Sequence, residues 1–401
     1  MTTSLSRRSL LKAGAAAGAA VRAVAPVVTG PAPPSYAGAP AILKPLPPEW
    51  FTDFGTNAET RWDSVDPKRF LTEQARLFVR NHTVTPTIDR DTWRLRVFGT
   101  GLSEPRAEAD ALSLSYADLR QLPVTRVTAS HECTGNGRSF FASQQGTPAS
   151  GTPWKLGAVG GVTWEGVRLA EVLDRLGLSA DAVSIQATGL DPEYSNGGVN
   201  YGRVRRPFPV SKALDDALLV WGMNGEPLLP DHGFPVRLVL PGWVGIASIK
   251  WLGSLEVAST ELSSPWNTKW YRMTGGLYLA DSPPLTVNPV RSAWELAWGE
   301  TIARREAVEL TGRSWSGAAA VDRVDVSVDG GSTWTPARPY RSGHREAWTQ
   351  WRYVWKKPAP GQHVLMARAT DAAGRTQPLV TPLNDNGYFF DAVVKHPVTV
   401  A

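Results

Sequence analysis

The chain has 401 residues, 42% of them hydrophobic and 20% charged, enough to bury a substantial core and long enough for two domains rather than one. Its formal net charge of +5 suggests an anionic partner, but residues 1–37 hold four basic residues and no acid, so the remainder is close to neutral. Nucleic-acid binding therefore loses its compositional support, and a single cysteine excludes an internal disulfide.

The first 37 residues open with Ser6-Arg7-Arg8, then Lys12, an Ala/Gly/Leu run and small residues with prolines. Paired arginines before a weakly apolar stretch fit a twin-arginine export signal, with cleavage near Ala25 or Ala37. The run is too short and too weakly apolar for a good membrane span, so the mature chain is expected to have none and to be periplasmic or extracellular. Residues 38–68 are rich in Pro, Ala and Gly and read as an irregular arm.

From about residue 90 to 285, short strand-like runs alternate with helical ones. TWRLRVFG (92–99) alternates as a strand, and SYADLRQL (115–122) opens with a capping-box-like Ser115 and Asp118. RLAEVLDRLGL (168–178) places Leu169, Val172, Leu173 and Leu176 on one helical face and meets Gly177 at its end. FPVRLVLPG (234–242) and IKWLGSLEV (249–257) read as buried strands. The pattern predicts a mixed α+β domain over 69–287.

Beyond about 290 the helical signals stop. RVDVSVDGGSTW (323–334) alternates Val324, Val326 and Val328 before an Asp329-Gly330-Gly331 turn, and HVLMARATDAAGRTQ (363–377) repeats the arrangement. A self-contained antiparallel β-sandwich over 288–401 is expected.

Cys133, the only cysteine, sits in TASHECTGNGRSFF (128–141). It is a buried small hydrophobe, a reactive thiol or a metal ligand. Zinc normally needs three or four clustered ligands, and there is no CxxC or HExxH spacing. His131 is near enough in sequence to partner a nucleophilic thiol, though residues two apart on a strand share a face without necessarily touching. The runs GAVGGV and TGNGRS are weak phosphate-loop signals, since neither continues as GxGxxG or GxxxxGK[ST]. What remains strongest is one soft ligand to a metal that brings most of its own.

At this point FVRNH (78–82), ECTGNGR (132–138), GTPWKLGAVGGVTWEGVRLAEVL (151–173), MNGEPLLPDHGFPVRLVLPGWVGIASIKWLGSLEV (223–257) and SVDGGSTW (327–334) together resemble the sulfite oxidase family of molybdenum-cofactor enzymes, across nearly all of the chain after the leader. The resemblance implies a molybdopterin-binding α+β domain followed by an immunoglobulin-like β-sandwich that forms a homodimer interface. It matches Cys133 to the thiolate on molybdenum. Phe78, Val79, Arg80, Asn81, His82, Asp191, His232, Arg237, Ser248, Ile249 and Lys250 match positions that grip the pterin and its phosphate. Arg80 and Tyr271 match positions facing the metal's open side, where an arginine stabilises an anion and a tyrosine hydroxyl donates to an oxygen. Arg345 is a candidate substrate ligand from the second domain.

The implied reaction is oxygen-atom transfer, oxidising sulfite to sulfate, with electrons leaving singly to a separate carrier such as a cytochrome. A related molybdenum reductase of a sulfoxide or other oxygenated substrate is the alternative, as is a non-catalytic exported binding protein of the same fold. Arg203, Arg205 and Arg206 read either as a solvated charge run or as an anion funnel.

Overall fold

The computed structural model describes residues 40–342 and 346–401; the leader and Arg345 lie outside the described residues. Two sheets build the first region. One has five strands in the order Arg205–Pro209, Ser184–Gly189, Leu252–Ala258, Arg94–Phe98 and Leu112–Ser115. Only the pairing of Leu252–Ala258 with Arg94–Phe98 is parallel. The other runs Glu226–Pro227, Leu218–Met223, Val159–Arg168 and Thr125–Glu132, with Arg237–Val239 also paired to Leu218–Met223.

Local chemistry accounts for the helices. Ser115 and Asp118 form the expected capping box before Tyr116–Arg120. The helix Leu169–Leu176 buries Leu169, Val172 and Leu173 and stops at Gly177, whose φ of 81° suits a residue without a Cβ. These side chains join Trp93, Leu95, Val97, Ile185, Leu252 and Leu255 in the main core.

The arm is more regular than its composition suggests. Phe51–Asp53 and Asn57–Thr60 form a hairpin that continues onto Val79–Arg80. Asp53 turns it by accepting a 2.8 Å hydrogen bond from the Gly55 amide at φ 82°, a local turn signal that the Pro/Ala/Gly average conceals.

The second region is a sandwich. Arg291–Trp294, Ala307–Trp315, Thr349–Lys356 and Arg338–Ser342 make one sheet; Glu300–Ile302, His396–Val400, Gly361–Asp371, Val321–Ser327 and Thr335–Pro336 make the other. Val324 and Val326 point into its core beside Trp294, Trp351 and Leu365.

The sandwich is not self-contained. Trp62, Phe140, Phe141, Leu156 and Val159 share a buried cluster with Ala293, Trp315, Trp348, Phe390, Ala392 and Val394. Removing the chain beyond 290 would expose Phe140 and Phe141, so the first region needs the second for its own burial. Of the GAVGGV glycines Gly161 serves this junction, since a Cβ there would lie 2.4 Å from the Trp348 ring, while Gly157 and Gly160 pack against Thr60 and Leu77.

Candidate active site

The strand Thr125–Glu132 delivers Cys133 to the floor of a cleft of about 720 Å³, counted with its open mouth. Its walls include Phe78, Arg80, Asn81, His82, Cys133, Asp191, His232, Arg237, Ser248, Ile249, Lys250 and Tyr271. Of the expected contact residues Val79 alone is elsewhere, with its side chain among Ile42, Phe51 and Ala58, because neighbours on a strand face opposite ways.

The cleft is lined by buried and half-buried cations. Arg237 donates to the carbonyls of His232 at 3.1 Å and Ser248 at 2.9 Å, yet its Nε has no partner. Lys250 donates to the Asp231 carbonyl at 2.8 Å and to Asn81 Oδ1. Burial pushes the Arg237 pKa down to about 9. Burial first, and then the charge of Arg237, holds Lys250 well below the usual lysine range.

His82, His131 and His232 are likewise held well below the ordinary histidine range, by burial and then by neighbouring cations. His82 Nε2 accepts a 3.0 Å bond from Trp266 Nε1, which leaves its proton on Nδ1.

Two carboxylates reach this cleft. Asp231 is taken up by the amides of Leu43 and Lys44 and by Thr85. Burial raises the Asp191 pKa to about 7. The three cations of the cleft, Arg80, Arg237 and Lys250, outnumber these two carboxylates, and a buried cation without an anion is costly.

A second cleft adjoins the first. It is lined by Gly135, Arg138, Ser150, Gly151, Thr152, Trp154, Tyr194, Trp270, Asn386 and Tyr388, and it shares Arg80, His82, Cys133 and Tyr271 with its neighbour. Those four therefore stand at the junction of both spaces. Arg80 Nη1 is buried there without a partner. Tyr271 holds a left-handed φ of 58°, uncommon for a bulky side chain and found where surrounding structure enforces it. Its ring stacks on Tyr388 at 5.1 Å and 9°.

Arg138 and Tyr388 are the residues that sequence reasoning missed. Arg138 donates to the carbonyls of Asn386 at 2.9 Å and Thr152 at 2.8 Å, and its guanidinium carbon lies 5.6 Å from the centre of the Tyr388 ring. Its position at the end of ECTGNGR was an available signal; Tyr388 had none, since it returns from 250 residues away. The Arg203 to Arg206 run divides: Arg206 is buried and donates to the carbonyls of Trp266 and Leu285, while Arg203 is exposed.

The donor set tests which group fits. Among the described residues no three His, Cys, Asp or Glu side chains cluster to hold a metal ion, so a metal at Cys133 has to arrive with other ligands. An anionic, phosphate-bearing cofactor would meet the unpartnered Arg237 Nε and the Lys250 ammonium. The residues present thus fit a molybdopterin.

A mixed α+β region with one cysteine thiol at the junction of a cationic cleft and an arginine-bearing opening, joined to a β-sandwich, defines a molybdopterin-binding oxidoreductase. Residues 82–266 match the oxidoreductase molybdopterin binding domain and residues 289–392 the Mo-co oxidoreductase dimerisation domain. The chain is 35% identical to mitochondrial sulfite oxidase of Homo sapiens over 347 residues, covering 80% of this chain and 61% of that protein. It is 34% identical to sulfite oxidase of Gallus gallus, covering 78% and 69%. The crystal structure of the sulfane dehydrogenase SoxCD from Paracoccus pantotrophus superposes with a TM-score of 0.70 at 25% identity, covering 84% of this chain and 82% of that one. The chain belongs to the sulfite oxidase family of molybdenum-cofactor oxidoreductases. It spans about 61% of the length of the human relative.

Proposed function

We propose that the protein oxidises sulfite to sulfate and passes the electrons to a separate one-electron carrier, a cytochrome by class. The observation that carries this reading is the sharing of Arg80, His82, Cys133 and Tyr271 between the cleft lined by Arg237 and Lys250 and the one lined by Arg138. Overall, sulfite takes its fourth oxygen from water, releasing two electrons and two protons. When bound, the molybdenum cofactor supplies the two-electron redox change and the transferable oxygen.

The chain's own residues do the rest. Cys133 offers the soft thiolate donor, while Arg237, Lys250, His232, Asn81 and the Ser248–Lys250 backbone hold the pterin and its phosphate. Arg80, whose buried Nη1 is unpartnered, attracts and orients the substrate oxyanion. Tyr271 presents its hydroxyl beside it, and Arg138 adds a second cation at the mouth.

The aromatic wall of Trp154, Tyr194, Trp270, Tyr271 and Tyr388 favours a second reading, a substrate with an organic group such as a sulfoxide. Metal analysis of the purified protein followed by sulfite-dependent reduction decides between them. About one molybdenum per chain with reduction by sulfite is expected. Reduction of a sulfoxide without sulfite turnover would overturn the assignment, and protein without metal would leave the binding-protein reading.

Export through Arg7 and Arg8 belongs to the same proposal: replacing both by Lys should leave folded protein in the cytoplasm, and unchanged export would reject that route. No helix among the described residues is long and apolar enough to cross a membrane. The sandwich, matching a dimerisation domain, is the proposed homodimer interface.

A further inference from the structure

The segment from Ser130 to Arg138 has two faces. His131, Cys133 and Gly135 line the clefts. The even-numbered residues are held by the second region, Thr134 and Arg138 lining the clefts as well. The Ser130 amide and hydroxyl both donate to the Glu346 carbonyl, at 2.8 and 3.0 Å. The Thr134 carbonyl accepts from the Phe389 amide at 3.0 Å. The Asn136 carbonyl accepts from Arg291 Nη1 at 2.8 Å, and Arg138 donates to Asn386.

Glu132 is the centre of this grip. Its Oε1 accepts from Arg291 Nη1 at 2.8 Å and from Asn136 Nδ2 at 2.8 Å, and its Oε2 accepts from Trp315 Nε1 at 2.9 Å. Glu132, Arg291 and Trp315 are all buried. Asn136 in turn closes the loop back on Cys133: its amide donates to the Cys133 carbonyl at 2.9 Å, and its Oδ1 accepts from Ala158, whose carbonyl takes the Cys133 amide.

A well-packed apolar contact would stabilise the junction as well as a buried ion pair, whose desolvation offsets most of its attraction. What the pair adds is register. Side chains alternate along a strand, so a slip of one residue would turn Glu132 into the cleft and Cys133 into the junction. Gly137 fits the same requirement: at φ 85° it lies so near the second region that a Cβ would sit 2.6 Å from Arg291 Nη2 and 3.2 Å from Phe390.

We propose that the second region is part of the cofactor site, with Arg291 and Trp315 acting through Glu132 as positioning residues that set where the Cys133 sulfur stands. This rests on Cys133 being the metal's thiolate. Trp315→Phe is one test: it keeps an aromatic ring and deletes the N–H that Glu132 accepts, but it also removes part of the buried indole, so Arg291→Lys is read beside it. In the holoenzyme, kcat should fall about tenfold with KM unchanged and molybdenum content retained, as for loss of a partner behind a metal ligand. The thiolate-to-metal absorption band should shift, and amide exchange over 131–137 should accelerate.

Arg291→Lys, which cannot reach Glu132 and the Asn136 carbonyl in the same geometry, should act in the same direction. Both variants with wild-type kcat, absorption and exchange, whatever their thermal stability, would overturn the proposal. If wild-type protein contained no molybdenum, the proposed function would fail by itself, and the exchange rate over 131–137 would still decide whether these residues hold the loop.

Discussion

Buried arginines occur in both regions of the molecule, and they are treated in opposite ways. In the sandwich Arg313 and Glu295 pair at 1% and 0% side-chain exposure, and Arg313 also donates to the carbonyls of Asp66 and Arg69. In the first region Arg80 and Arg237 line the clefts with no ion pair to a carboxylate among the described residues, and each has a donor nitrogen left over. Charge buried for the fold is paired within the fold, whereas charge buried for a ligand waits for it.

Breaking that comparison should cost most at its centre. Cys133→Ser is expected to fold and keep some pterin through Arg237, Lys250 and His232, yet to lose sulfite turnover, because a hydroxyl is a harder and poorer donor. Full activity would sink the molybdenum assignment. Arg313→Met strands Glu295 in the junction and should destabilise the protein by about 3–5 kcal/mol in a denaturant titration. A loss below about 1 kcal/mol would show that the pair does not support the sandwich.

Arg80→Gln should lower kcat/KM for sulfite by the equivalent of about 2–4 kcal/mol while leaving stability nearly unchanged. Retained sulfite turnover would count against an oxyanion substrate at this arginine.

Glu59 sharpens the comparison from the acid side. Burial raises its pKa from 4.5 to about 7, against the Gly157 and Lys155 amides that it accepts at 2.9 and 2.7 Å. A folded pKa above the unfolded one means that its contribution is full below about 4.5 and is lost as pH rises through 7. Glu59→Gln keeps an oxygen for both amides, so it should remove up to a few kcal/mol of that pH dependence. Identical stability profiles from pH 4 to 8 would refute it. The smallest effect is expected from Arg237→Met: cofactor-free protein should stay within about 1 kcal/mol of wild type, while cofactor retention falls. Equal retention would remove Arg237 from the phosphate site.

Much of this was legible along the chain, for reasons of range. The Ser115 capping box, the Leu169–Leu176 helix with Gly177 and the Val324/Val326 alternation depend on neighbours a few residues apart, so local pattern carried them. The hairpin at 51–60 did not show, because one Asp53–Gly55 turn is diluted in a proline-rich average. The cofactor-facing residues were legible through motif resemblance, and their alternation separated Phe78 and Arg80 from Val79 only once a strand was in place.

By itself, then, the sequence determined an α+β chain with one thiol, because composition, spacing and short-range pattern need no folded partner, and the family resemblance implied the cations around it. Only the tertiary structure decided what completes the site. Tyr388 reaches Tyr271, and Arg291 and Trp315 reach Glu132, across separations of more than 100 residues. No local periodicity encodes such contacts; they arise because Phe140, Phe141, Trp315, Trp348 and Phe390 cannot leave water unless both regions close over them together.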